Sequence, residues 1–235
     1  MALTAQASPA PAVAAATVPG WLLSFVAGYV DVVGFAALFG LFTAHVTGNF
    51  IMIGVQMIGA SEGLVTKLLA LPTFVLAVAC TRRAETALTR RGAPVATILL
   101  LAQCVLLVGF MAAGLAAVPL TDPAASRVVV CGLLGVMAMG IQNATSRTLL
   151  AEAGPTTIMT GNTTQIVIDL VDLPSAAPEA RAAIRRRLRK MVPAVAGFAA
   201  GAIAGALAYA HWSFWSVLVP TVLLVWLAAH LRRSR

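Results

Sequence analysis

The stretch from Gly28 to Asn49 reads GYVDVVGFAALFGLFTAHVTGN, an apolar run with one acidic residue that ends in the tripeptide Thr47-Gly48-Asn49. A second stretch, from Gly140 to Asn162, ends in the same tripeptide, Thr160-Gly161-Asn162. The two tripeptides lie 113 residues apart, and the glycines that open the two stretches lie 112 residues apart. This agreement indicates an internal duplication, which is a recurring feature of transporter folds.

The composition around these stretches is that of a membrane protein. Hydrophobic residues make up 60% of the 235 residues and charged residues only 10%, whereas soluble domains carry about 25% charged residues. The mean hydropathy is +0.93, and several apolar runs approach the roughly 20 residues that a helix needs to cross about 30 Å of hydrocarbon. We therefore predict an all-α membrane protein with the lipid bilayer as its partner, and not a soluble enzyme.

The apolar runs predict six membrane spans and two shorter pieces. The spans lie at about residues 21–41, 64–81, 95–118, 128–144, 191–209 and 214–231. The short pieces begin at the two tripeptides and continue for about 12 residues each. Residues 1–19, rich in Ala and Pro and without charge, are predicted to be a disordered tail that precedes a single transmembrane domain at 20–235.

The net charge of +8 is concentrated between and after the spans. Thirteen of the sixteen Lys and Arg residues lie in three places: Arg82 to Arg91, Arg181 to Lys190, and Arg232 to Arg235. Basic loops of this kind are typical of the cytoplasmic side of membrane proteins. We therefore do not expect nucleic acid as a partner, and we expect anionic lipid to lie against the basic loops.

The basic loops also test how many pieces cross the membrane. If all eight pieces crossed, the first two basic loops would lie on opposite sides, which the positive-inside rule disfavours. If the two short pieces are re-entrant and six helices cross, all three basic stretches and both termini are cytoplasmic. Each half, at about 21–118 and 128–231, then has three crossings, so the second half is inverted. We predict this inverted repeat, in a bacterial inner membrane.

Taken together, four motifs resemble the YoaK-type family of polytopic bacterial membrane proteins, a domain of unknown function. They are Gly28-Tyr29-Val30-Asp31, Ala44-His45-Val46-Thr47-Gly48-Asn49, Gly140-Ile141-Gln142-Asn143 and Thr156-Thr157-Ile158-Met159-Thr160-Gly161-Asn162. The resemblance covers about Trp21 to Leu231, nearly the whole chain. It implies a polytopic inner-membrane protein and supplies no catalytic residues.

The tripeptides are the first candidate binding site. Thr or Asn at the start of a helix commonly caps its free backbone donors, which is one interpretation of Thr47, Asn49, Thr160 and Asn162. The other is that two buried helix N-termini concentrate positive potential near the midplane, which suits an anion or a polar solute. Gly48 and Gly161 would let a solute approach the backbone closely.

Asp31 is the only acid that we place deep in a span, where an ionised carboxylate is costly unless it is paired or hydrated. It is a candidate proton or cation site, or else a structural carboxylate satisfied by a neighbouring group. Asn143 occupies the matching position in the second half and joins the candidate binding residues. His45 is a candidate gate or proton relay, because histidine changes charge near neutral pH; the alternative is a hydrogen-bonded structural residue.

Other features point to packing and anchoring. Arg147 and Glu152 follow the span that ends at Ala144, and we predict that they anchor it at the cytoplasmic face. Gly197, Gly201 and Gly205 recur at every fourth residue, which favours close packing of a helix inside the chain or in a homo-oligomer.

The predicted function is transport of a small polar or anionic solute, or a channel for one, at a midplane site between the tripeptides. The alternative is a non-transporting assembly or sensor protein that acts through helix packing and its basic loop. No phosphate-binding loop, metal-ligand spacing or nucleophile elbow is present in the sequence, so we expect no enzyme activity, no metal and no cofactor.

Overall fold

The computed structural model describes residues 18–59 and 62–233, and every regular element in these ranges is helical. The α-helices are α1 Gly20–Ala37, α2 Gly48–Met57, α3 Leu64–Arg90, α4 Val95–Ala117, α5 Ser126–Arg147, α6 Met159–Asp172, α7 Pro178–Trp212 and α8 Leu218–Arg233. Short 3₁₀ turns lie at Ala151–Ala153 and Ser213–Val217. The predicted all-α fold is confirmed. Residues 1–17 of the predicted disordered tail lie outside the described residues.

Among the residues that the structure describes, five segments are long and apolar enough to cross a membrane, and the last of them, at 178–233, contains both α7 and α8. Helices α2 and α6 have 10 and 14 residues. At 1.5 Å per residue, neither can cross about 30 Å of hydrocarbon. The chain thus has the apolar helices expected of a polytopic membrane protein, together with two short helices.

Two predicted spans are too short at their basic ends. Helix α3 continues past Thr81 to Arg90, and α7 begins at Pro178 instead of Met191. The apolar pattern marks only the part of a helix that lies in hydrocarbon. The extensions are rich in Ala, Arg and Leu, which favour helix in water as well, so the helices continue where the hydrophobicity ends.

The helices pair across the two halves of the chain. Helix α1 packs along α7, α3 along α5, and α4 lies against both α5 and α8. The contact between α1 and α7 is close because Gly28 and Gly201 face each other's helix backbones. A Cβ atom added at Gly201 would lie 2.1 Å from the carbonyl oxygen of Phe25.

The whole glycine stripe of α7 faces α1, because Gly197 and Gly205 lie against the backbone of Trp21 and Tyr29 in the same way. The packing alternative for these glycines is therefore the one observed. Helix α1 thus occupies the surface that the homo-oligomer alternative assigned to a second copy of the chain. A homo-oligomer remains a prediction and would need another surface.

Hydrogen bonds between buried amides hold the helices around the site. The Gln142 side chain donates to the carbonyl of Leu23 in α1 at 2.7 Å and accepts from Gln103 in α4 at 2.8 Å. All three residues are buried. Bonds of this kind are strong in a low-dielectric interior, and they fix α1, α4 and α5 relative to one another.

The chain reverses direction directly after α1. Gly40 has φ of +79°, a left-handed conformation that glycine adopts without steric cost. The buried Lys67 ammonium of α3 donates to the carbonyl of Phe39 at 2.8 Å and also to the carbonyl of Glu62. This turn sends residues 41–47 back along α1 and places Asn49 of the first tripeptide in the interior, with Thr47 exposed.

Candidate functional site

Asp31 holds the returning loop in place. Its Oδ1 accepts the backbone N–H groups of Thr43 and Ala44 at 2.8 and 2.7 Å. Its Oδ2 lies 2.8 Å from Nδ1 of His45, whose ring stands edge-on to Phe198 with ring centroids 5.0 Å apart. Asp31 is buried. Its carboxylate is therefore satisfied by the loop that it organises.

The two tripeptide asparagines make matching bonds with the loops that precede their helices. The first loop is residues 38–47, between α1 and α2, and the second loop is residues 148–158, between α5 and α6. The Asn49 side chain accepts from the backbone N–H of Phe42 at 2.9 Å and donates to the Phe42 carbonyl at 2.8 Å. The Asn162 side chain donates to the carbonyl of Pro155 at 2.9 Å. Both asparagines are buried, and each reaches back seven residues. Proline has no N–H, so the second loop makes one bond where the first makes two.

Asn143 holds the second loop as Asp31 holds the first. Its Oδ1 accepts from the Thr157 hydroxyl at 2.5 Å, and its Nδ2 donates to the carbonyl of Met139 at 3.0 Å. Asp31 bonds residues 12 to 14 positions ahead, and Asn143 bonds a residue 14 positions ahead. The polar side chains at the matching positions thus organise matching loops, one with a charge and one without.

A cavity of about 430 Å³ lies where the two loops meet. Its lining includes the second loop and the start of α6, the first loop, and side chains of α3 and α5: Ala44, His45, Val46, Thr47, Leu71, Phe74, Asn143, Arg147, Thr157, Ile158, Met159 and Thr160. A neighbouring cavity of about 390 Å³ shares Phe74, Asn143 and Arg147 with it. The two tripeptide threonines therefore border one space.

The first backbone N–H groups of α2 and α6, the two helices that begin at this cavity, differ in whether they have acceptors. In α2, the N–H groups of Gly48, Asn49 and Phe50 bond the carbonyls three residues earlier. In α6, the N–H groups of Met159, Thr160 and Gly161 have no acceptor within residues 18–59 and 62–233. The two helix starts therefore differ: tight turns satisfy the N–H groups of Gly48, Asn49 and Phe50 in α2, whereas those of the first three residues of α6 have no acceptor among the described residues.

The predicted site residues fall into two groups. Thr47, Thr160, Asn143 and His45 line the cavity. Asp31 does not; it borders a separate, apolar cavity of about 250 Å³. The remaining four, Gly48, Asn49, Gly161 and Asn162, are absent from the lining of the larger cavity, and both asparagines bond their own loops.

Arg147 is a lining residue that the sequence had suggested only as an anchor. It lies at the C-terminal end of α5 and borders both of these cavities. Glu152, which the sequence analysis grouped with Arg147 as an anchor, accepts a bond from Lys190 of α7 at 2.8 Å. That bond lowers the pKa of the exposed Glu152 carboxyl. No hydrogen bond or ion pair joins the Arg147 side chain to any residue that the structure describes.

A second ion pair attaches α6 to the basic start of α7. Arg187 donates from Nε and Nη2 to the carboxylate of Asp169 at 3.0 and 2.6 Å. Asp169 is buried and also accepts from Gln165. A bidentate pair of this kind fixes orientation as well as distance. The basic stretch of α7 therefore holds α6, the helix that contains the second tripeptide.

Comparison with known proteins identifies a family whose function is unknown. The profile of a family described as "Protein of unknown function (DUF1275)" matches residues 20–230. No curated protein and no solved structure matches the chain. The matched range is nearly that of the predicted resemblance to an uncharacterised family of membrane proteins.

Proposed function

Because this chain belongs to the DUF1275 family of proteins of unknown function, we propose from its geometry that it transports a small polar or anionic solute through the cavity between Thr47 and Thr160. This cavity is the functional site, and the chain is a transporter or channel and not an enzyme. The membrane is the bacterial inner membrane, with both termini cytoplasmic. The solute enters the cavity between the two loops and leaves on the other face.

One observation carries this proposal. Thr47 and Thr160 come from different halves of the chain, both are exposed, and both border the same cavity. Neither hydroxyl has a hydrogen-bond partner in the described part of the chain. Non-helical backbone at membrane depth is tolerated where it is buried in protein or lines a water-filled cavity. Free hydroxyls at such a place are suited to bind a polar solute.

The helix pairing supports the inverted repeat. If α1 to α4 correspond to α5 to α8, the pair α1 and α7 corresponds to the pair α5 and α3, and both pairs are observed. Likewise α2 packs on α3, and α6 packs on α7. A structure whose halves exchange partners in this way can open a shared site to either face by rocking one half against the other.

Flux through proteoliposomes tests the proposal. The purified chain is reconstituted and offered a panel of labelled neutral, cationic and anionic solutes. We expect at least one solute to cross, and the double variant Thr47→Val and Thr160→Val to reduce that flux. Thr164→Val is the matched control, because this α6 threonine bonds the carbonyl of Thr160 and does not line the cavity.

Absence of flux and of ligand stabilisation across the whole panel would reject transport. It would favour the rival function, a membrane assembly or sensor protein. Since α1 covers the glycine stripe of α7, that rival would have to act through the basic stretch at 181–190.

A further inference from the structure

We infer that the solute is a small organic monocarboxylate, held by the guanidinium of Arg147 in the cavity between the two loops. This inference rests on the proposed function and names its substrate class. Arg147 acts as the charge-pairing residue of the site, in addition to the tripeptide threonines.

The charge at the cavity is uncompensated. Arg82, the other arginine at the adjoining cavity, is paired with Glu85 at 2.7 Å. No Asp or Glu is among the described residues that line either cavity. Arg147 is exposed at the C-terminal end of α5, so its guanidinium is accessible to a solute in the cavity. A solute with one negative charge supplies the missing counter-charge.

The other residues that line the cavity indicate the chemistry of the solute beyond its charge. A planar guanidinium matches a carboxylate with two parallel hydrogen bonds. The hydroxyls of Thr47 and Thr160 and the free N–H groups at the start of α6 supply further donors. Leu71 and Phe74 form an apolar wall beside them. This combination suits an organic body with one carboxylate better than a fully hydrated inorganic ion.

The first half of the chain lacks this charge. Phe35, 112 residues before Arg147, lines the separate cavity with Asp31, Phe42 and Phe198. That cavity has no arginine or lysine in its lining. The anion site is thus confined to the side of the molecule formed by α3, α5 and the second loop.

The test compares carboxylates with their uncharged amides. Purified full-length protein in a neutral detergent is titrated with acetate, lactate and benzoate, and with acetamide, lactamide and benzamide, and its thermal unfolding is followed. Chloride, phosphate and sulfate form a second arm. Phosphatidylglycerol mixed into the micelles forms a third, since a lipid phosphate could also pair with Arg147.

We expect a carboxylate to raise Tm in the absence of phosphatidylglycerol, and its amide to have no effect. The variant Arg147→Gln should weaken carboxylate affinity at least tenfold, as is usual for loss of a charged hydrogen bond. Arg147→Lys, which keeps the charge without the fork, should lose less. Arg83→Gln is the matched control, because Arg83 is an exposed basic residue of α3 outside both cavities.

Equal stabilisation by carboxylates and amides, or stabilisation by phosphatidylglycerol or inorganic anions alone, would overturn the inference and leave the proposed transport of a polar solute standing. The same holds if Arg147→Gln binds carboxylate as tightly as the wild type. If Arg147→Gln does not fold, Arg147→Lys and the wild-type comparison of acid with amide decide the question. Failure of every solute in the proteoliposome panel would instead reject the proposed function itself.

Discussion

The side chain of Asn49 bonds both backbone groups of Phe42, whereas Asn162 in the second half bonds only the carbonyl of Pro155. Both asparagines are buried at the start of a short helix. In each loop an asparagine side chain therefore bonds the backbone seven residues earlier, with two bonds in the first loop and one in the second. The effect of this difference on stability can be measured.

We expect Asn49→Ala to destabilise the protein more than Asn162→Ala. The first variant leaves a partly buried N–H and a partly buried carbonyl without partners, at up to about 1–3 kcal/mol each, and the second leaves one partly buried carbonyl. The loss should therefore be roughly twice as large for Asn49→Ala. Unfolding in mixed detergent micelles, with both variants at matched concentration, measures the difference. Equal losses would show that the Phe42 bonds contribute nothing.

Gly201 should tolerate no side chain. A Cβ atom there would lie 2.1 Å from the carbonyl oxygen of Phe25, so Gly201→Ala must push α1 and α7 apart. Overpacking of this kind costs about 1–3 kcal/mol or more. Gly54→Ala is the matched control, since no heavy atom lies within 4 Å of its added Cβ. In a helix that change should be neutral or gain up to about 1 kcal/mol. Comparable Tm values for the two variants would contradict the close packing of α1 and α7.

The sequence predicted the fold class and the short helices because hydrophobicity and a repeated tripeptide are local properties. It could not give the basic ends of α3 and α7, since a charged helix in water has no hydrophobic pattern to mark it. Four of the nine candidate residues line the cavity, and the duplication had marked both stretches in which they lie. The sequence did not predict that Arg147 lines the cavity with an unpaired side chain, because Glu152 pairs with Lys190, 38 residues away. No pattern along the chain indicates which of two basic residues an acidic residue will contact.

Six crossings predict a specific labelling pattern. Single cysteines at Glu62, Ala124 and Ser175 are introduced after the native cysteines are replaced, and intact cells are treated with an impermeant maleimide. The first two positions should be labelled from outside, and the third only after the membrane is opened, because the basic loops remain cytoplasmic. External labelling at Ser175, or protection at Glu62, would contradict re-entrant short helices.

Asp31→Asn separates the charge of this side chain from its shape. The amide oxygen of asparagine can still accept the N–H groups of Thr43 and Ala44, so we expect the variant to fold and reach the membrane. Asp31→Ala removes both acceptors in a buried place, and should lose about 2–6 kcal/mol at 1–3 kcal/mol for each unsatisfied donor. Thermal unfolding of the two variants distinguishes the loop-holding role from the charge.

The same variant tests whether Asp31 couples transport to protons. It removes the negative charge beside His45, the residue type whose ordinary titration falls between about pH 5 and 8. If the Asp31 and His45 pair carries the coupled proton, flux through Asp31→Asn proteoliposomes should lose its dependence on pH across that range while binding at the cavity persists, because Asp31 does not line it. Loss of the protein from the membrane would assign the carboxylate a purely structural role. Flux that remains pH-dependent would place the coupling at another group, and His45→Gln is then the next variant to measure, since His45 lines the cavity.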